Sequence, residues 1–108
     1  MAAQKKEVVI HPSEQTSTTG GRKYPRTPEP SIEAYIEDGV ITLNIDRFMG
    51  SVATTIDDSS DNVVVADLQY ISGSTSYTID ISSLAADTYS LYLTFSDGRE
   101  YYGTFIIE

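Results

Sequence analysis

From Ser31 onward, apolar side chains recur at every second position, which predicts strands with one buried face. The alternating sets are Ile32/Ala34/Ile36, Ile41/Leu43/Ile45, Val52/Thr54/Ile56, Tyr77/Ile79/Ile81 and Tyr89/Leu91/Leu93/Phe95. Strands are expected to start near residues 32, 40, 51, 63, 76, 88 and 99, close to the spacing of about 8–12 residues in sandwiches and barrels. About seven strands without a helical stretch predict an all-β, immunoglobulin-like β-sandwich of two antiparallel sheets.

The segment Val63–Tyr70 has a less regular pattern. We expect its even-numbered side chains to point inward, because Asp67 and Gln69 then face water. These inward positions are Val64, Ala66, Leu68 and Tyr70.

Two Asp-Gly pairs set the register of neighbouring strands. A two-residue type I′ turn at Asp38-Gly39 pairs Glu37 with Val40 and places the apolar residues of both strands on one face. At Asp97-Gly98 we expect a three-residue loop, Ser96–Gly98, with Gly98 in the left-handed conformation. That register puts Tyr92 opposite Tyr102 on the face away from the core.

The first thirty residues differ from the rest. Residues 1–30 form an N-terminal segment with one short strand (7–10) and a polar, proline-bearing connection, whereas 31–108 form the sandwich. We expect Val8, Val9 and Ile10 to pair within their own sheet, with strand exchange into a neighbouring molecule as the alternative.

Composition limits the available chemistry. The chain has 108 residues, no cysteine and one histidine, His11, which indicates a single domain and excludes disulfides and thiolate sites. No apolar run approaches the roughly 20 residues of a membrane span, and Met1–Glu7 does not read as a signal peptide. We therefore expect no membrane insertion and either a cytoplasmic protein or an exported one without its leader.

Charge is unevenly distributed along this acidic chain. The net charge is -9; fourteen acids against two arginines from Glu29 onward give -12, so the preceding residues carry +3. An acidic body repels phosphate backbones and anionic lipid, which argues against nucleic-acid binding.

The segment Leu84–Tyr89 has the pattern of a tyrosine corner, in which the Tyr89 hydroxyl bonds to backbone a few residues upstream. Its expected role is structural.

The stretch Ile79–Leu93, followed by Asp97-Gly98 and Tyr102–Phe105, resembles small exported proteins of Bacteroides-type bacteria, the domain-of-unknown-function 3244 family. The Glu7–Ile10 strand and the basic connection Arg22–Pro30 are also similar. The resemblance implies an immunoglobulin-like sandwich, export to the periplasm or cell surface with the leader absent from this chain, and no assigned activity. The late Leu-x-x-x-x-Tyr segment also resembles C-terminal sorting modules of type-nine secretion cargo.

No catalytic or metal constellation stands out. Asp57, Asp58 and Asp61 lie close enough for calcium, but they lack the Asp-x-Asp-x-Asp-Gly order and favour a solvated turn. A Ser/His/Asp site needs His11, which we expect to be exposed and unsupported. We therefore expect no enzyme, no metal and no cofactor, and rank a small hydrolase last.

Tyr92 and Tyr102 are the candidate binding residues. Adjacent exposed rings offer a surface for a sugar or a protein, and the simpler interpretation is a cross-strand pair that stabilises the hairpin. The sequence thus favours a non-catalytic, exported module at the cell envelope that binds protein or glycan or has a structural role. The alternative is a secretion or sorting module recognised by export machinery.

Overall fold

The structure, a computed structural model, describes residues 5–12 and 30–108. These ranges contain seven strands and no helix, and hence no helix suited to crossing a membrane. The strands are β1 (Lys6–Val8), β2 (His11–Pro12), β3 (Ser31–Glu37), β4 (Val40–Asp57), β5 (Val63–Asp80), β6 (Asp87–Phe95) and β7 (Glu100–Ile107). The predicted all-β class with about seven strands is therefore confirmed.

The strands form one antiparallel hydrogen-bonded sheet that curls into two layers. The order is β1-β3-β4-β6-β7-β2, and β5 pairs with β4. The first half of β4 lies between β3 and the end of β5, and its second half lies between β6 and the start of β5. The first layer therefore comprises β1, β3, the first half of β4 and the end of β5. The second layer comprises the start of β5, the second half of β4, β6, β7 and β2.

The long strands β4 and β5 carry the chain from one layer to the other. The sequence predicts separate strands near 40 and 51 and near 63 and 76, but pairing continues through both junctions. A β-bulge between Asp46 and Phe48, with positive φ at Arg47 (64°) and Gly50 (143°), bends β4 instead of ending it. Inside the bend the ring of Phe48 packs edge-on against Phe95, with centroids 4.7 Å apart.

Both Asp-Gly turns have the predicted geometry. Asp38 and Gly39 have φ of 54° and 74°, and Glu37 pairs with Val40. The second loop closes when Phe95 N–H donates to the Arg99 carbonyl oxygen at 2.8 Å, with Gly98 at φ 99°. The predicted registers of both hairpins are therefore confirmed.

The inward face of β5 is opposite to the prediction. The exposed fractions of Leu68 and Tyr70 are 67% and 65%, whereas Ile71 is fully buried. Side chains directly opposite each other share a face, and Asp67 lies opposite the buried Thr54 of β4. The prediction that Val64, Ala66, Leu68 and Tyr70 point inward was therefore wrong.

The N-terminal segment joins both layers. Instead of one strand over 7–10, β1 pairs with β3 and β2 pairs with β7, so residues 9–10 cross from the first layer to the second. Val8 is buried against the core. A Cβ on Gly103 would lie 2.7 Å from the Val9 carbonyl oxygen, so the crossing requires a residue without a side chain there. Strand exchange through Val8–Ile10 stays a prediction.

Candidate functional site

The outer face of the second layer presents a row of side chains across five strands. Register places Ala66, Thr55, Tyr92, Tyr102 and His11 next to one another, in that order. Thr55 is half-buried, and the other four side chains of the row are exposed.

Tyr92 and Tyr102 lie directly opposite each other on β6 and β7, as the bulged loop predicts. Their exposed fractions are 42% and 40%, so both rings belong to the surface and not to the core. The ring of Tyr102 packs against the ring of His11, with centroids 5.4 Å apart. The ring of Tyr92 contacts no other aromatic ring in the described part of the chain.

Polar groups surround the two tyrosines. The same face carries hydroxyl groups from neighbouring positions of β4, β6 and β7, and a carboxylate at the start of β7. These residues are Thr55, Ser90, Thr94, Thr104 and Glu100. The face therefore combines two flat apolar surfaces with donors and acceptors on every side.

The buried side of β6 fixes the position of this face. The hydroxyl of Tyr89 donates a 2.6 Å hydrogen bond to the Ala85 carbonyl oxygen, which is tyrosine-corner geometry. Its ring stacks on Phe105 at 5.5 Å. Burial raises the pKa of Tyr89, and the carboxylates of Asp87 and Asp58 raise it further.

The acidic loop after β4 is organised as a turn. The Asp58 carboxylate accepts hydrogen bonds from the backbone N–H groups of Ser60 and Asn62, both at 2.9 Å. The Asn62 bond is the main cause of a lowered pKa at Asp58. Among residues 5–12 and 30–108, no three His, Asp or Glu side chains are grouped as metal ligands.

A second carboxylate ties this loop to β6. Asp87 accepts hydrogen bonds from Ser59 Oγ at 3.0 Å and from Thr88 N–H at 2.8 Å. The Ser59 hydroxyl lowers the pKa of Asp87. The carboxyl groups with shifted pKa are thus shifted towards the ionised form.

Two half-open depressions lie away from the tyrosines. One, of about 300 Å³, lies beside Glu7 and Glu33, where the Lys5 ammonium sits 4.3 Å from the Tyr35 ring centroid. The other, of about 370 Å³, lies at the end of the sandwich beside Gly39 and Leu84. Neither is lined by His11, the only histidine of the chain, so neither joins a serine to an imidazole base.

Comparison with known proteins identifies the family. A sequence model described as Domain of unknown function (DUF3244) matches residues 5–107. The chain belongs to this family. The DUF3244 chain is also similar to a solved structure, a DUF3244 family protein with an immunoglobulin-like β-sandwich fold from Bacteroides vulgatus ATCC 8482. The two share 21% identity and a TM-score of 0.71, over 97% of this chain and 100% of that one.

No curated protein matches this DUF3244 domain. The likeness to the Bacteroides vulgatus protein therefore supports the fold alone.

The sequence predicted the opposed, exposed positions of Tyr92 and Tyr102 but not the histidine beside them. His11 is exposed, as expected, but β2 holds it opposite Tyr102. The signal for this contact is the glycine at position 103, which leaves room for the N-terminal segment to cross onto β7.

Proposed function

We propose that this protein is an exported, non-catalytic interaction module of the cell envelope that binds its ligand through the outer face of the second layer. The observation that carries the proposal is the pair of exposed tyrosines in adjacent register, with His11 beside them. The ligand class that fits best is a neutral glycan, and a protein partner is the alternative.

The geometry of the face favours a glycan. An aromatic ring packs against the C–H groups of a hexose ring, and exposed hydroxyl groups exchange hydrogen bonds with sugar hydroxyls. The hydroxyl of Thr55 lies opposite Tyr92 on the neighbouring strand β4, and that of Thr94 lies two residues along β6 on the same face.

The charge of the chain restricts the type of glycan. A net charge of -9 repels sulfated and uronic-acid polymers. We therefore expect neutral oligosaccharides as ligands.

The absence of catalysis is supported by how the polar groups are used. The carboxylates of Asp58 and Asp87 accept hydrogen bonds from turn donors. A general acid or base is instead a carboxyl whose pKa has been moved towards neutrality.

A glycan array tests the binding proposal. Wild type should bind neutral oligosaccharides, and Tyr92→Ala should weaken binding by about tenfold, the loss expected from roughly 1.4 kcal/mol of ring packing. The matched control is Tyr35→Ala, which removes a tyrosine from the outer face of the first layer. Equal binding by wild type and Tyr92→Ala, or a clean array with binding to an envelope protein instead, would overturn the glycan assignment.

Export rests on the family resemblance and has its own test. Fractionation of cells that express the natural gene should place the protein in the periplasm or on the surface. Recovery in the cytoplasmic fraction would contradict it.

A further inference from the structure

The first half of β5, residues Val63–Ile71, is a long and exposed sheet edge. It pairs with β4 on one side only, and no other strand within residues 5–12 or 30–108 reaches its opposite side. The exposed fractions of Val63, Leu68 and Tyr70 are 60%, 67% and 65%.

This edge is only weakly protected against pairing, since the inward-facing Asp67 is its single charged residue. Edge strands are commonly shortened, or carry lysine or proline. Here β1 has three residues with Lys6, and β2 has two with Pro12. Residues 63–71 contain no basic residue and no proline, and Asp67 is their only charge.

The hydrogen bonds of Ser51 show which backbone groups face outward. Ser51 N–H donates to Ser96 Oγ at 3.1 Å, and the Ser51 carbonyl oxygen accepts from Ser96 N–H at 2.9 Å. Both groups therefore point away from β5. Because backbone groups alternate in direction from one residue to the next, those of Thr54, three residues on, point towards β5, where Thr54 pairs with Asp67. By the same alternation, the backbone groups of Leu68 point out of the free edge.

The outward-facing residues of the edge are Ala66, Leu68 and Tyr70. Their N–H and C=O groups are free to pair with a strand that adds at this edge. Their side chains, on the outer face of the sheet, lie next to those of the added strand. Such a strand gains backbone hydrogen bonds and covers apolar side chains in one step.

A second copy of this chain fits the edge. In a two-fold antiparallel pair centred on Leu68, Leu68 faces its own copy and Ala66 faces Tyr70. The same register places Asp67 opposite Gln69, whose Nε2 donates to the Asp67 carboxylate at 3.1 Å within one chain. Of the registers centred between Ala66 and Tyr70, this one alone pairs the carboxylate with the amide. A register centred on Asp67 would oppose two carboxylates, which is destabilising.

We propose that this protein forms a two-fold dimer by antiparallel pairing of its β5 strands about Leu68, which extends the second layer across both copies. The proposal is separate from ligand binding, since the two tyrosines lie on β6 and β7 and the two surfaces share only Ala66 at the end of the row.

Sedimentation of the full chain tests the dimer. Wild type should show a concentration-dependent monomer–dimer equilibrium that strengthens with salt, because each copy carries -9. Leu68→Lys places two like charges at the two-fold axis and should give a monomer. Thr78→Lys adds the same charge to an exposed position of β5 outside the paired stretch and should still dimerise. Monomeric wild type up to about 1 mM, or a dimer unchanged by Leu68→Lys, would overturn the proposal.

Cross-linking tests the register, because the chain has no native cysteine. In Leu68→Cys the two Cα atoms are expected about 5.5 Å apart, so a short bifunctional maleimide should join them. In Ala66→Cys the two positions lie four residues apart along the pair, roughly 13 Å, and should link about tenfold more slowly. Faster linking at position 66 than at 68 would contradict this register.

Discussion

The hydroxyl of Tyr77 lies 3.1 Å from Thr54 Oγ1 in the core, and the two groups share a hydrogen bond. Thr54 belongs to the second layer and Tyr77 to the first. Thr54 is fully buried, and Tyr77 is 8% exposed. The bond therefore links the layers while satisfying two polar groups that water does not reach.

The losses from removing the two partners of this bond should not add, because each single variant already breaks the same bond. Tyr77→Phe leaves the Thr54 hydroxyl buried without its partner, and we expect a loss of about 1–3 kcal/mol in the free energy of unfolding. Thr54→Val should cost a similar amount. Urea denaturation of the double variant should show a loss smaller than the sum, with coupling of about 1 kcal/mol. Strictly additive losses would show that the two hydroxyl groups do not stabilise each other.

Burial of Tyr77 also predicts a loss of stability at alkaline pH. Burial raises the pKa of Tyr77 above the value of 10.0 for an exposed tyrosine, even though the Thr54 hydrogen bond lowers it. The folded state holds the Tyr77 proton more tightly than the unfolded state does. The contribution of Tyr77 to the free energy of unfolding is therefore complete below pH about 10 and is lost as pH rises through the folded pKa. The free energy of unfolding should fall above pH 10, and less steeply in Tyr77→Phe. A flat profile in wild type would refute the pKa direction.

At acidic pH the turn carboxylates should produce the opposite slope. Hydrogen bonds from Ser82 lower the pKa of Asp80, and those from Ser59 lower that of Asp87. The contribution of these carboxylates to the free energy of unfolding is complete at pH values above the unfolded pKa of 3.8. It is lost as pH falls through their folded pKa values. Asp87→Ala should be less stable than wild type at pH 7 and should lose less stability on acidification. Identical acid profiles for the two proteins would argue against this role.

Gly103 should be essential for docking of the N-terminal segment. A Cβ there meets the Val9 carbonyl oxygen at 2.7 Å and Val8 Cγ1 at 3.1 Å. Gly103→Ala should therefore cost about 1–3 kcal/mol and speed amide hydrogen exchange at Val8. Thr104→Ala, at the next and exposed position, is the matched control. Unchanged exchange at Val8 in Gly103→Ala would show that the segment tolerates a side chain there.

The period-two pattern predicted the class and the hairpin registers because both Asp-Gly turns set pairing locally. Glu37 opposite Val40 follows from the two-residue turn. Leu93 opposite Tyr101 follows from the loop length that keeps the apolar residues of both strands on one face. Leu91 is fully buried, as alternation predicts.

The face of β5 could not be predicted in the same way, because apolar residues occupy consecutive positions from Val63 to Val65. Its orientation is set by pairing with β4, and Gln69 supplies a hydrogen bond to the inward Asp67. Local polarity therefore pointed to the wrong face. The continuity of β4 through Gly50 was missed for a related reason: a glycine marks a turn or a bulge equally well.

Binding at Tyr92 and Tyr102 is tested most directly by amide chemical-shift mapping of the labelled protein during titration with a neutral oligosaccharide selected on the array. The account predicts saturable shifts clustered at Tyr92, Tyr102 and His11, with little change at Tyr35. Shifts confined to the first layer, or none at any residue, would contradict it.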